Sequence, residues 1–383
     1  MKKINLVIYG ATGSIGGSVL SIIRSNRKKF NIQGITCNKN YKKLIKIAEE
    51  FKVKNLGINK KIKSKVKELN KYNIYEDISS FDKIYDNKTD VIIYAVSGLA
   101  GLDLIQNLYK SGKKIGMANK ECIISLGENL SKVAKKNCSI IVPLDSEHNS
   151  IFHLLNNEHG SFESVTITAS GGPFRKLPLK LFNNINVKQA LSHPIWKMGK
   201  KISIDSATMV NKALEIIEAK YLFDLDNNQI DAIIHPQAVV HAMVNYKNGI
   251  TTALLNKPDM RIPISSLFFK FNGYLSKTKK LNLLEYSKLE FHPINTTRYP
   301  AIKLGKEVMK IGGLAPNAFN YLNEILVSYF LKGAIKFADI TAFNEINLEK
   351  LFAKNTNIMS PNLADIKNIN SWIDKNLYIR NQN

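Results

Sequence analysis

The sequence predicts an α/β protein with an N-terminal Rossmann-like domain, an α+β second domain and a small helical C-terminal domain. Through residues 1–148, short β-branched runs alternate with amphipathic stretches, the pattern of successive βαβ units. The first of these runs passes straight into a glycine-rich turn. The chain has 383 residues, 44% of them hydrophobic, which is enough for two or three separate cores.

Strands are expected over 5–9, 32–37, 91–96, 114–117 and 139–143, with helices at 41–51 and 102–111 among them. In the second domain, 149–272, strands at 165–169, 232–234 and 251–255 accompany a helix near 211–222. A turn-rich connection at 273–298 follows, and 299–383 reads as helices separated by Gly312-Gly313 and Ser360-Pro361. No apolar run approaches the ~20 residues of a membrane helix, and the first strand begins too early to leave room for a leader. A soluble, cytoplasmic protein is expected. Cys37, Cys122 and Cys138 are odd in number and widely spaced. They fit neither a disulfide framework nor a zinc ribbon and read as small buried thiols.

The formal charge of +24 invites a nucleic-acid reading. It comes almost wholly from lysine, whereas nucleic-acid readers favour the bidentate fork of arginine. The lysines are scattered (Lys42, Lys43, Lys46, Lys60, Lys61) among Asn and Ile. They describe a solvated surface whose field attracts anions, with no nucleic-acid partner and no membrane expected.

The first strand ends in Gly10-Ala11-Thr12-Gly13-Ser14-Ile15-Gly16-Gly17, ahead of a helix expected over 18–25. Glycines at a strand-to-helix turn let the backbone approach a pyrophosphate, and the helix N-terminus offers N–H groups and a positive dipole end. Alone such a loop is often a simple turn; between a strand and a helix it marks a dinucleotide site. NAD enzymes usually place Asp or Glu after the second strand. This chain has Cys37-Asn38-Lys39-Asn40, with a lysine to pair with a 2′-phosphate, which favours NADPH.

The strand at 139–143, the fifth expected, leads into Asp145-Ser146-Glu147-His148-Asn149. Ligands of doubly wound sheets bind at the carboxyl ends of strands. Asp145 and Glu147, two apart, are expected on one side of an extended segment, where paired carboxylates suit Mg²⁺ or Mn²⁺. Read alone, this spacing is more often a solvated loop. Farther on, Asn211, Lys212 and Glu215 share one helical surface. An ordinary Lys–Glu pair with simple caps and a phosphate cradle that includes Ser206 are both open readings. Between the two regions, Ser170-Gly171-Gly172-Pro173-Phe174-Arg175 and His193-Pro194-Ile195-Trp196-Lys197 have the composition of a mobile lid, or of a long loop with Trp196 in the core. Asn119-Lys120-Glu121 completes the polar set. His235 and His241 read as structural, because harder ligands are available.

The strings GATGSIG, ANKE, PLDSEHNSIF, SGGPFR, HPIWKMGKKISIDSATMVNKALEIIEA, IHPQAVVHAMV and PDMR occur in this order. Over residues 1 to about 335 the chain thereby resembles the 1-deoxy-D-xylulose 5-phosphate reductoisomerases of non-mevalonate isoprenoid synthesis. The resemblance implies a homodimer of V-shaped subunits that uses NADPH, with Mn²⁺ or Mg²⁺ on Asp145, Glu147 and Glu215. It implies substrate contacts at Lys120, Ser146, Glu147 and Glu215, and phosphate contacts at Ser170, Ser206, Asn211 and Lys212. His193 is implied near the substrate and Trp196 as its cover, within a lid at 170–201; Lys120, Glu147 and His193 form the implied catalytic group. Implied cofactor contacts are Thr12, Gly13, Ser14, Ile15, Lys39, Asn40, Asn119, Glu121 and Gly199. The implied reaction is a retro-aldol/aldol rearrangement of the phosphorylated sugar followed by hydride transfer, giving 2-C-methyl-D-erythritol 4-phosphate.

Three departures stand out: Asn38 where the family usually has Gly, Lys200 where a relative has Arg, and Phe319-Asn320-Tyr321-Leu322-Asn323-Glu324 in place of Leu-Asn-Ala-Ala-Asn-Glu. The last bears on packing rather than chemistry. Two rival classes explain parts of the sequence. A different Rossmann dehydrogenase, for semialdehydes or homoserine, has no use for three carboxylates, and its turnover would be metal-independent. A basic nucleic-acid-binding protein would show a salt-dependent gel shift.

Overall fold

The computed structural model describes residues 2–63, 66–156, 161–195, 198–268, 278–353 and 361–379. The chain forms two compact units. The first comprises Met1–Cys122, Leu130–Asn149 and Asp259–Lys279; the second comprises Ile123–Asn129, Ser150–Pro258 and Lys280–Asn383.

The first unit is built on seven parallel strands: β1 (Ile4–Tyr9), β2 (Phe30–Thr36), β3 (Asn55–Ile58), β4 (Asn73–Glu76), β5 (Val91–Tyr94), β6 (Lys114–Met117) and β7 (Ile140–Pro143). Their order is β4-β3-β2-β1-β5-β6-β7, so the order reverses between β1 and β5. Leu6, Val7 and Ile8 are fully buried, as are Ile92 and Ile93 beside them. Such continuous apolar runs are what a sheet covered on both faces requires. Two strands of this sheet, β3 and β4, are absent from the sequence reading. Each is four residues long and interrupted by Asn, Gly or Glu, so neither carries a periodic signal. The strand read as fifth is therefore the seventh. The helix read from residue 18 spans Ser14–Ser25 and begins within the glycine turn. The helix Arg261–Phe268 packs on this unit: the Phe268 ring lies edge-on to Phe30 at 4.9 Å, and Leu267 occupies the space a side chain at Gly116 would need.

The second unit holds a four-stranded sheet of β8 (Phe162–Ala169), β9 (Ile230–Ile234), β10 (Val240–Tyr246) and β11 (Thr251–Leu255), ordered β11-β10-β8-β9. Strand β10 pairs antiparallel with β8 and β11, while β8 and β9 run parallel. In the sequence β10 is marked only by the histidines in and before it. His241 lies within it, buried, and the His235 ring sits 2.9 Å from the Glu290 carbonyl, stacked on Phe291. The helix Val210–Phe223 is buried on nearly every side. The helix Pro300–Ile311 crosses it so closely that a Cβ on Gly305 would stand 2.7 Å from Ala213 Cβ. Helices Ala315–Leu331, Asp339–Phe352 and Leu363–Asn376 complete the helical layer. Phe319 and Leu322 fill its core, and the Tyr321 hydroxyl donates to Asp374 at 3.0 Å, so the bulkier 319–324 sequence is accommodated. Cys37 and Cys122 are buried thiols as expected, but Cys138 is exposed. It turns the chain out of the helix Lys120–Lys136 with a left-handed φ of 54°.

Candidate active site

A cleft of about 380 Å³ opens where the order of the seven-stranded sheet reverses. Its walls come from the carboxyl ends of five strands: Gly10, Thr12 and Gly13 after β1, Asn38 after β2, Asn59 after β3, Asp77 and Ile78 after β4, and Val96 and Ser97 after β5. This is where a doubly wound sheet binds nucleotides. Gly10 has φ 86°, and a Cβ there would lie 2.3 Å from the Ala95 carbonyl oxygen. A Cβ on Gly16 would lie 2.6 Å from the Ala11 carbonyl, so both glycines are demanded by close backbone approach. Gly13 caps the helix Ser14–Ser25 without a side chain, which leaves the helix end to a ligand. The geometry fits a pyrophosphate.

Asn40 caps the helix Tyr41–Phe51 by accepting the Lys43 N–H at 3.1 Å, and Lys39 is exposed just before it. From the sequence alone Lys43 is one of the scattered surface charges. Its ammonium in fact donates to the Thr12 carbonyl at 2.9 Å, which ties the second helix to the glycine turn. Only the return of β2 beside β1 makes that contact legible. Asn119 is buried and fully engaged: its amide donates to Val96 and Gly98 carbonyls at 2.6 and 2.9 Å, and its oxygen caps Cys122 at 2.7 Å. It braces the loop after β5, and Glu121 follows in the first turn of the same helix.

Asp145 and Glu147 are not on an extended segment. Ser146 starts the helix Ser146–Leu155, so Glu147 lies in its first turn and Asp145 immediately before it. Acidic side chains are favoured there by the dipole and by the otherwise unpaired N–H groups. The Glu147 N–H donates to Asp145 Oδ1 at 3.2 Å, and the Ser146 hydroxyl to Glu147 Oε2 at 2.5 Å. Lys120 holds its ammonium 3.4 Å from Asp145 Oδ2.

In the second unit, a left-handed Met209 (φ 63°) turns the chain into the helix Val210–Phe223. There Glu215, 2% exposed, accepts a hydrogen bond from Asn211 and forms an ion pair with Lys212, itself buried. These are the expected i,i+4 and i,i+3 partners, but the surface-pair reading is excluded by their burial. Among the described residues, Asp145 and Glu147 in the first unit and Glu215 in the second are the acidic side chains that offer ligand atoms for a metal ion. Three carboxylates are hard donors, which suits Mg²⁺ or Mn²⁺.

Two of the serines are brought together by glycine. Gly172 (φ 66°) presses on the helix Lys200–Ala207 so closely that a Cβ would lie 2.9 Å from the Ser206 carbonyl oxygen. Ser170, two residues earlier, accepts the Gly172 N–H at 3.3 Å and faces His193 Nε2 at 3.1 Å. Because the Ile195 N–H donates to His193 Nδ1 at 3.2 Å, the ring proton sits on Nε2 and points at Ser170. Burial pushes the His193 pKa below its ordinary value and keeps the ring neutral. Ser170 thus accepts two N–H bonds and retains its own proton for an anionic oxygen.

The stretch after the glycines is less free than its composition suggests. Phe174, Ile185 and Ala190 are buried with Leu326, Phe330 and Phe337. Arg298 donates to the carbonyls of Phe174 and Leu177 at 3.1 and 2.6 Å, and the Tyr299 hydroxyl to that of Gly171 at 2.8 Å. Gly199, with open space around it, caps the helix Lys200–Ala207. Trp196 lies outside the described residues.

These features define a class: a Rossmann-fold, dinucleotide-dependent oxidoreductase with carboxylates suited to a hard divalent metal. Family models for 1-deoxy-D-xylulose 5-phosphate reductoisomerase match residues 6–127, and those for its C-terminal domain match 141–223 and 255–376. The reductoisomerase of Pelagibacter ubique (strain HTCC1062) is 42% identical over 97% of this chain and 98% of its own. That of Clostridium tetani is 39% identical over 91% and 93%. A solved reductoisomerase in complex with NADPH, fosmidomycin and magnesium superposes with a TM-score of 0.88 at 32% identity, covering 97% of each chain. The Zymomonas mobilis enzyme in complex with NADPH gives 0.88 at 31%, also over 97% of each. The chain belongs to the 1-deoxy-D-xylulose 5-phosphate reductoisomerase family.

Proposed function

We propose that the protein converts 1-deoxy-D-xylulose 5-phosphate to 2-C-methyl-D-erythritol 4-phosphate, using NADPH and a divalent metal ion. One observation carries the reading furthest: the carboxylates of Asp145, Glu147 and Glu215 occur in a chain that also builds a nucleotide cleft. A plain dehydrogenase has no need of it. When bound, the metal supplies a Lewis acid for the substrate's oxygens and NADPH supplies the hydride.

Around that chemistry the chain's own groups take distinct roles. Thr12, Gly13, Ser14 and Ile15 receive the pyrophosphate at the glycine turn, and Lys39 and Asn40 receive the 2′-phosphate. Glu121 and Gly199 complete the cofactor contacts, and Asn119 holds the loop after β5 that borders the cleft. Lys120 orients the substrate and carries a proton, held in reach by Asp145, while Ser146 fixes one Glu147 oxygen. Ser170, Ser206, Asn211 and Lys212 bind the phosphate, far from the reacting carbons, so that binding energy is spent on closure and orientation. The neutral His193 directs the Ser170 hydroxyl, and Trp196 covers the substrate.

No helix among the described residues is long and apolar enough to cross a membrane. The free thiols of Cys37, Cys122 and Cys138 fit a reducing cytoplasm. We place the protein there as a homodimer. Strand β11 supports the dimer, being a sheet edge with no buried residue and open to a second copy; light scattering at micromolar concentration should give twice the 43.1 kDa chain mass.

The decisive assay is NADPH oxidation with 1-deoxy-D-xylulose 5-phosphate, with and without EDTA. Turnover is expected to stop with EDTA and return with Mg²⁺ or Mn²⁺. Turnover indifferent to EDTA, or none with this substrate while NADPH binds, overturns the proposal.

A further inference from the structure

Asp205 precedes Ser206 in the helix Lys200–Ala207 and is 2% exposed. Its Oδ1 accepts the side-chain amide of Asn323 at 2.7 Å, and its Oδ2 accepts the Lys201 ammonium at 2.7 Å. Asn323, itself fully buried, belongs to the helix Ala315–Leu331. A carboxylate withdrawn from water is costly unless both oxygens find donors. Here both do, and one donor comes from a distant part of the chain.

The helix that carries Asp205 needs this support. It has eight residues, Gly199 caps it without a side chain, and its first turn holds Lys200 and Lys201 but no acid, the wrong charge for that end. Ile204 and Ala207 pack against Leu326, Val327 and Phe330, but apolar contact is non-directional and tolerates rotation of so short a helix. The two hydrogen bonds to Asp205 are directional and fix its rotation and register. Gly172 presses on the Ser206 backbone. Ser206 is thereby set between a glycine brace and a buried anchor.

We propose that Asp205 is a positioning residue for the phosphate subsite, locking Ser206 in place through Asn323 and Lys201. The inference rests on the reading of Ser206 as a phosphate contact, and the test separates the two. Full-length Asp205→Asn, Asn323→Leu, their double mutant and Ser206→Ala are compared by steady-state kinetics with both substrates varied. Melting and NADPH titration check that each is folded. Ser206→Ala is expected to raise KM for the phosphorylated sugar. Asp205→Asn and Asn323→Leu are each expected to raise the same KM by roughly tenfold, the size of one hydrogen bond to a charged group. The KM for NADPH should change less than about twofold, and the double mutant should be no worse than the worse single. A merely structural role would lower the active fraction, and so Vmax, without moving KM. If Asp205→Asn does not fold, Asn323→Ser and Lys201→Met carry the comparison. Unchanged sugar KM in folded Asp205 and Asn323 variants, or effects that multiply in the double mutant, overturns the inference. Unchanged sugar KM in Ser206→Ala overturns the phosphate reading beneath it.

Discussion

Glu215 is nearly shut off from water, and its oxygens are claimed by Asn211 and Lys212 on its own helix. Gln is tolerated in a helix, so Glu215→Gln should fold and yet need far more metal. Losing a supporting hydrogen bond costs roughly 10–100-fold in metal affinity, and losing a ligand should cost at least that. Activity titrated against Mg²⁺ checks it; a normal curve would remove Glu215 from the metal site. Lys39 makes a second single-residue case. Lys39→Ala should reduce the preference for NADPH over NADH by about 1.5–3 kcal/mol, the worth of one charge-assisted hydrogen bond, read as a ratio of kcat/KM values. An unchanged ratio would assign the discrimination elsewhere, with Lys43 on the Thr12 carbonyl the nearest alternative.

Three glycines of one turn respond to substitution differently because the elements around them differ. A methyl group on Gly10 or Gly16 meets backbone carbonyl oxygen at 2.3 or 2.6 Å, whereas one on Gly17 meets nothing within 4 Å. Gly10→Ala and Gly16→Ala should therefore separate the helix Ser14–Ser25 from β1, lowering both Tm and NADPH affinity. Gly17→Ala should leave NADPH binding intact and raise stability by about 0.5–1 kcal/mol, the helical advantage of Ala over Gly. Melting curves with and without NADPH check all three. The contrast was only partly legible: the motif marked the turn, and Gly16 meets the Ala11 carbonyl of that same turn, but Gly10 meets Ala95 only because β5 returns beside β1. The same holds for Asp145 and Glu147. Their spacing suited a strand, and the helix that begins at Ser146 instead places them at its N-terminal end.

The whole molecule carries a formal charge of +24 and is expected to bind two anions, the cofactor and the sugar phosphate. Its kcat/KM should fall as ionic strength rises from about 0.01 to 0.15 M, over which the Debye length shrinks from ~30 to ~8 Å. A salt-insensitive kcat/KM would show that only local contacts attract the substrate. Acid should weaken the second unit. Burial lowers the pKa of His153, His193 and His235 in the folded chain, so below the ordinary value near 6.5 the unfolded chain binds more protons. Their contribution to stability is complete above that pH and is lost as pH falls through the folded values. Calorimetry should find Tm declining from pH 7 to pH 5; a level Tm would mean that unfolding leaves these rings as they were.

Some of this was determined by sequence alone, because it depends on neighbours along the chain. The glycine turn after β1, the α/β alternation and the i,i+4 and i,i+3 partners of Glu215 are local patterns, set by backbone sterics, hydrophobic periodicity and helical spacing. Strands β3 and β4 escaped because four-residue strands interrupted by Asn, Gly or Glu acquire their conformation from pairing rather than propensity. Lys43 against Thr12, Gly172 against Ser206 and Asn323 against Asp205 join residues that no period links. Those contacts exist only once the sheet order and the helix packing are settled, since directional bonds and close backbone approach require atoms a few ångströms apart. Sequence distance says nothing about that separation, and only the tertiary structure decided it.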